Sequence, residues 1–108
     1  MRVALSFVPP GGGEVDYEAE FELPAIPQQG DYIKIADPRA PGFSCDFIVR
    51  RAWWGLRHST DENPGHVRKL VLECEFALSG NSSNSHRQAC DGYRRTGRPL
   101  KEFDDSCY

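Results

Sequence analysis

The stretch Val15-Asp16-Tyr17-Glu18-Ala19-Glu20-Phe21-Glu22-Leu23 alternates apolar and acidic residues without a break. In an extended chain successive side chains leave on opposite faces. This order therefore puts Val15, Tyr17, Ala19, Phe21 and Leu23 toward a core and Asp16, Glu18, Glu20 and Glu22 toward water. Carboxylates lined up on one face repel one another, so that face is either solvated or set against cations. Pro24 and Pro27 end the strand, because proline has no N–H for a ladder.

The same period recurs on either side. Val3, Leu5 and Phe7 alternate with Ala4 and Ser6 before the reversal Pro9-Pro10-Gly11-Gly12-Gly13. Ile33 and Ile35 alternate with Tyr32 and Lys34. Phe43, Cys45, Phe47 and Val49 share one face, opposed by Ser44, Asp46, Ile48 and Arg50. At Arg50-Arg51 the phase slips by one, since the next apolar residues are Ala52, Trp54 and Leu56, and such a slip is the mark of a β-bulge. Leu70, Leu72, Cys74, Phe76 and Leu78 form the last apolar face, opposed by Val71, Glu73 and Glu75. No long stretch keeps a helical period. The pattern predicts an all-β fold, a small antiparallel five-stranded barrel or rolled sheet. Its core holds Tyr17, Phe21, Leu23, Leu70, Leu72, Cys74 and Phe76, with Asp16, Glu18, Glu20, Glu22, Glu73 and Glu75 facing out. The polar loop Arg57–His66 is long for a hairpin and reads as mobile or functional.

Composition changes after Leu78, so the chain divides into a barrel domain at 1–78 and a polar linker and tail at 79–108. Ser79–Ser85 is a low-complexity linker without an apolar residue. The tail reads as an irregular C-terminal extension in which Tyr93, Leu100, Phe103 and Tyr108 are the candidate anchors. From residue 80 it carries five Lys+Arg and four Asp+Glu, which leaves −4 on the body of a chain with net charge −3. That balance argues against a general DNA coat. No apolar run approaches the ~20 residues of a membrane span, and no secretory cleavage site follows the N-terminal apolar run, so a cytoplasmic location is expected.

Chemistry-bearing residues are sparse. Cys45 and Cys74 fall on inward faces and read as buried thiols, while Cys90 and Cys107 could close a loop in the tail. The spacing His86-x-x-x-Cys90 would place both groups on one helical turn, but zinc wants two such pairs, and His58 and His66 only flank a loop. No metal or other cofactor is expected. His58, Ser59, Thr60 and Asp61 are neighbours in sequence, which is not how triads are assembled. Gly11-Gly12-Gly13 leads into a strand, so no helix N-terminus is there to hold a phosphate. No catalytic residue is assigned.

The most informative cluster is Arg50, Arg51, Trp53, Trp54, Arg57 and His58. Adjacent tryptophans on a strand point to opposite faces, so one indole is expected in the core and the other at a surface. Trp and Arg are the residues enriched at binding hot spots. The leading expectation is a binding or assembly module working through protein–protein contacts, self-association included. The alternative is a nucleic-acid-binding barrel using these residues with Arg68 and Lys69, since aromatic and basic groups together hold single strands. A second alternative is a small-ligand or enzyme pocket in the barrel mouth, lined by His58, His66 and loop carboxylates.

Leu23-Pro24-Ala25-Ile26-Pro27-Gln28-Gln29-Gly30-Asp31-Tyr32-Ile33-Lys34-Ile35, followed by Phe47-Ile48-Val49 and the Trp53-Trp54 strand, resembles the small SH3-like barrels of bacteria and their mobile elements. The resemblance spans about residues 20–78. It implies an SH3-like barrel and a protein-binding, nucleic-acid-binding or assembly-joint role, with no active site carried over.

Overall fold

Every side chain from Val3 to Val8 is buried, odd and even positions alike, which places this strand inside a sheet covered on both faces. The structure is a computed structural model that describes residues 1–40, 44–80 and 82–103. Phe43, Asn81 and residues 104–108, with Cys107 and Tyr108 among them, lie outside the described residues. The elements run β1 (Arg2–Val8), β2 (Tyr17–Glu22), β3 (Tyr32–Ala36), β4 (Ser44–Arg57), β5 (His66–Ser79), α1 (Asn84–Arg95) and β6 (Lys101–Phe103). One sheet takes the order β2-β1-β5-β4-β3, with β6 added beside β5, and it curls into a half-barrel.

Two expectations are corrected here. The sheet is mixed rather than antiparallel: β1 runs parallel to β5 from Ala4 beside Val71 to Val8 beside Glu75. β6 then takes the same edge, also parallel, from Lys101 beside Ala77 to Phe103 beside Ser79. The handover follows from Pro9-Pro10, which have no N–H to continue the ladder. The extension is also not irregular, since it folds into α1 and β6. His86 and Cys90 are the buried groups of α1, and Tyr93 and Leu100 pack on the core. The helix went unforeseen because its inner face is built from His, Cys and Tyr rather than from aliphatic residues. The Ser83 hydroxyl, at the N-cap position, donates to Ser44 O at 3.0 Å and so ties the helix start to β4.

The concave side of the curl holds the core: Val3, Leu5, Phe7, Cys45, Phe47, Val49, Leu70, Leu72, Cys74, Phe76, Leu78 and Cys90. Phe21 and Leu23 pack against it half-buried. Tyr17 was expected inside; its ring lies 4.4 Å from that of Phe7, but it sits on an edge strand and stays exposed, as does Val15. The segment between β2 and β3 crosses from one sheet edge to the other. It is fixed at its two ends by Leu23 N–H to Met1 O (2.8 Å) and Gly30 N–H to Val49 O (2.9 Å).

On the convex side Glu18, Glu20 and Glu22 are exposed as the alternation requires; Asp16, before β2, is exposed too but borders the concave side beside Tyr17. Glu73 and Glu75 are not: both are buried, Glu75 to 1% exposure. The polarity pattern gave their face correctly, but the Pro10–Gly12 turn and the chain before β6 lie over that face. Glu75 Oε2 accepts from Gly11 N–H and from Arg50 Nη1, both at 3.1 Å, and Oε1 lies 2.9 Å from Lys101 Nζ. Gly11 has φ +85°, a conformation that a side chain would strain, and this turn aims its N–H at the carboxylate. The bulge between Val49 and Arg51 is present as the phase slip predicts. Its extra residue puts two consecutive arginines on the convex side, Arg50 on Glu75 and Arg51 on Glu73. A second buried carboxylate, Asp46, is held by Lys34 Nζ at 3.0 Å and by the hydroxyls of Ser79 (3.2 Å) and Ser82.

Burial would raise the Glu75 carboxyl, but the bonds from Lys101, Arg50 and Gly11 together outweigh it and hold it below its ordinary range. Its ionised form therefore stabilises the fold above the usual glutamate pKa of about 4.3, and that contribution is lost as pH falls through the depressed native value. Glu75→Gln is expected to cost about 1.5–3 kcal/mol at neutral pH, the range for one charge-assisted hydrogen bond. Urea denaturation from about pH 7 to about pH 3 should show a shallower acid limb in the variant than in the wild type. Parallel acid limbs contradict this assignment.

Candidate functional site

β4 and β5 are each 14 residues long, about 46 Å at roughly 3.3 Å per residue. Their neighbours are shorter. β3 stops opposite Ile48, and β1 begins opposite Val71. Among the described residues, 54–57 of β4 and 66–70 of β5 therefore pair only with each other, as a two-stranded arm. The molecule measures 53 × 30 × 26 Å, and its radius of gyration of 15.9 Å exceeds the ~13 Å of a compact chain this long.

Trp54 lies on this arm opposite Leu70, and Trp53 at its base opposite Val71, which pairs on its other side with Ala4 of β1. The expectation of one buried indole is corrected: Trp53 is 51% and Trp54 47% exposed. They do point to opposite faces, but the arm has outrun the strands that would cover either face. Leu56 and Val67, paired across the arm, are 68% and 50% exposed. Single exposed apolar residues are ordinary, whereas Trp54, Leu56 and Val67 together on one face form a patch, with Trp53 on the other face.

The other expected binding residues have diverse fates. Arg50 and Arg51 spend their charge on Glu75 and Glu73, and Lys69 lies 3.3 Å from Glu18. Arg57 and Arg68 are exposed on the arm, with no ion pair among the described residues. His58 is at the tip, its Nδ1 3.0 Å from Ser59 O. His58 and His66 face one hollow of about 400 Å³ with Thr60, Asn63 and Pro64. The hollow is at the arm's tip rather than in the barrel mouth, where these histidines were expected.

Sequence reasoning missed a second feature. β2 and β3 end the sheet on opposite sides, and the curl leaves an open slot between them. The slot holds about 660 Å³ and is walled by Tyr17, Ala19 and Phe21 from β2, Ile35 from β3, and Phe76 and His86 behind. It continues past Phe21 and Ile35 into a further hollow of about 290 Å³ beside Leu5 and Ile33. The alternation at 17–21 and 33–35 marks its two walls, but periodicity does not say which strands are left unpaired.

His86 forms the inner end of the slot. Its ring stacks on Phe76 with centroids 5.6 Å apart, and Nε2 lies 2.6 Å from Ala77 O and 3.2 Å from Asp46 N. One tautomer donates to Ala77 O and the other accepts from Asp46 N–H, so the ring stands in for a ladder bond where β4 and β5 part. Cys90 Sγ is 3.5 Å from the same nitrogen. The spacing of these two residues does place them on one helical turn, but it is used for packing. No group of three or more His, Cys, Asp or Glu able to hold a metal occurs among the described residues. Compared with known proteins, the chain matches no family model, no curated protein and no solved structure.

Cys45 and Tyr17, which line the slot, are both held in their protonated forms. Cys45, Cys74 and Cys90 are free and buried. Burial pushes Cys74 up to about 12 and Cys90 up to about 11, and raises Cys45 as well. Tyr17 is pushed up to about 12, by burial first and then by Cys45 and Asp16. All four groups stay protonated at neutral pH, where a thiol is a poor nucleophile. A thiol reagent at neutral pH is therefore expected to modify Cys45, Cys74 and Cys90 only after denaturation, as read by mass spectrometry of digests. Fast native labelling of Cys45 contradicts this. Cys74→Ala should cost on the order of 1 kcal/mol, the scale for deleting a small buried group.

Proposed function

We propose that the protein is a non-catalytic association module that docks on protein through its β4–β5 arm. The observation that carries this reading is the set of uncovered apolar side chains, Trp53, Trp54, Leu56 and Val67, on both faces of the ribbon. A two-stranded ribbon is marginal in water by itself, so a partner that covers it also stabilises it. Indoles bury large area at low entropic cost, and arginine beside them is the usual hot-spot company. The nucleic-acid reading has less support, because Arg50 and Arg51 are neutralised by Glu75 and Glu73. In our reading the module works in a reducing compartment such as the cytoplasm, which the three free thiols among the described residues favour. No helix among the described residues is long and apolar enough to cross a membrane. Likeness to SH3-like assembly joints remains part of the proposal and rests on the Leu23–Ile35 stretch.

The test is sedimentation across a concentration series, with Trp53→Ala and Trp54→Ala beside the wild type. Association is expected in the wild type, with a blue shift of indole emission as the arm is covered. Each substitution should weaken it, Trp54→Ala by about 2 kcal/mol or more, while far-ultraviolet dichroism stays native. A wild type that stays monomeric with unshifted emission overturns the proposal.

A further inference from the structure

We infer that the partner of the arm is a second copy of this chain, whose β2 edge receives the outer edge of β4 and whose slot receives Trp54 and Leu56. This rests on the arm being an association surface. The outer edge of β2 is unpaired among the described strands, and so is the outer edge of β4 beyond its last contacts with the β3 side at Val49. Two free edges of this kind join by main-chain hydrogen bonds, with side chains of alternate faces giving specificity.

The faces match. On the arm, Trp54 and Leu56 continue the core side, and Arg57 leaves from the other side. On β2, Ala19 and Phe21 line the slot, and Glu18, Glu20 and Glu22 leave exposed from the other side, each with one exposed cation beside it: Lys69 3.3 Å from Glu18, Arg2 3.9 Å from Glu20 and the N-terminal ammonium 2.7 Å from Glu22. Residues facing one way on paired strands are neighbours, so seating Trp54 in the slot necessarily sets Arg57 among the glutamates. A slip of one residue would instead turn Trp53 and Arg57 into the slot and Leu56 onto the carboxylates, so burial of the guanidinium is what selects the parity of the register. The slot volume of about 660 Å³ admits an indole with a leucine beside it.

The competing pairings are less favourable. Arm against arm gives Trp54 and Leu56 no slot to enter, and β2 against β2 opposes carboxylates to carboxylates. The β3 edge presents Lys34 on the side where Arg57 would arrive. An arm on one end and a receiving edge elsewhere form a heterologous contact, so assembly proceeds head to tail into a ring or an open chain.

The test mixes two blocked variants. Trp54→Glu disables the arm and keeps β2. Glu18→Lys, Glu20→Lys and Glu22→Lys together disable β2 and keep the arm. Each alone is expected to be monomeric, and their mixture should form a 1:1 dimer that grows no further. Adding Arg57→Glu to the lysine variant should restore self-association at least tenfold over the lysine variant alone. Dichroism and thermal melting of each monomer establish that it is folded. If the wild type associates through Trp54 while the lysine variant associates equally well, this inference falls and the arm proposal stands. If the wild type does not associate at all, both fall.

Discussion

An ionised carboxylate inside a protein has to be surrounded by donors, and the neighbourhood of Glu75 is arranged around that requirement. The residue sits on β5, the central strand, and draws its partners from three other parts of the chain. Arg50 reaches it because the bulge turns two consecutive arginines to the same side. The Gly11 N–H reaches it because the chain leaving β1 adopts a conformation that glycine tolerates. Lys101 arrives as the first residue of β6. Asp46 repeats the arrangement near the end of β5 with Lys34, Ser79 and Ser82. These two carboxylates fasten on the convex side what Phe7, Phe47 and Phe76 pack on the concave side.

The arm follows from where those fastenings stop. β1 and β6 occupy successive lengths of one edge of β5, and β3 occupies the matching length of β4. Past Val49 and before Leu70 neither face has a covering layer, so the same two strands that are core at one end are an unprotected ribbon at the other. Among the described strands, the outer edge of β2 beside the slot and the outer edge of β4 past Val49 are both left unpaired.

How far the sequence disclosed this varies by element. The alternation of residues 17–22 and 70–78 reports which side each residue faces, and the slip at Arg50-Arg51 reports the bulge, because both are local properties of an extended chain. Whether a face is wet is not local. Glu73 and Glu75 face the predicted side and are nevertheless buried, since the covering chain comes from residues far away. Trp53 and Trp54 fail the reverse way: they alternate as predicted, but no strand lies alongside to bury either. Parallel pairing of β1 and β6 with β5 left no periodic trace. The helix hid behind an inner face of His86, Cys90 and Tyr93. Of the expected binding cluster, Trp53, Trp54 and Arg57 lie exposed on the arm, whereas Arg50 and Arg51 are committed to internal ion pairs.

The parallel placement of β1 against β5 also sets the order in which the protein can be made. A chain synthesised from its N-terminus presents β1 and the acidic β2 hairpin well before β5 exists to receive them. Sheets closed by such distant pairings fold slowly, and their unfinished edges are open to strangers in the meantime. The glutamates of β2 put charge on an edge strand, which disfavours sticking of the nascent hairpin to its neighbours. Full neutralisation of Glu75 waits for Lys101, so the central strand is secured only after a segment 26 residues further along has emerged.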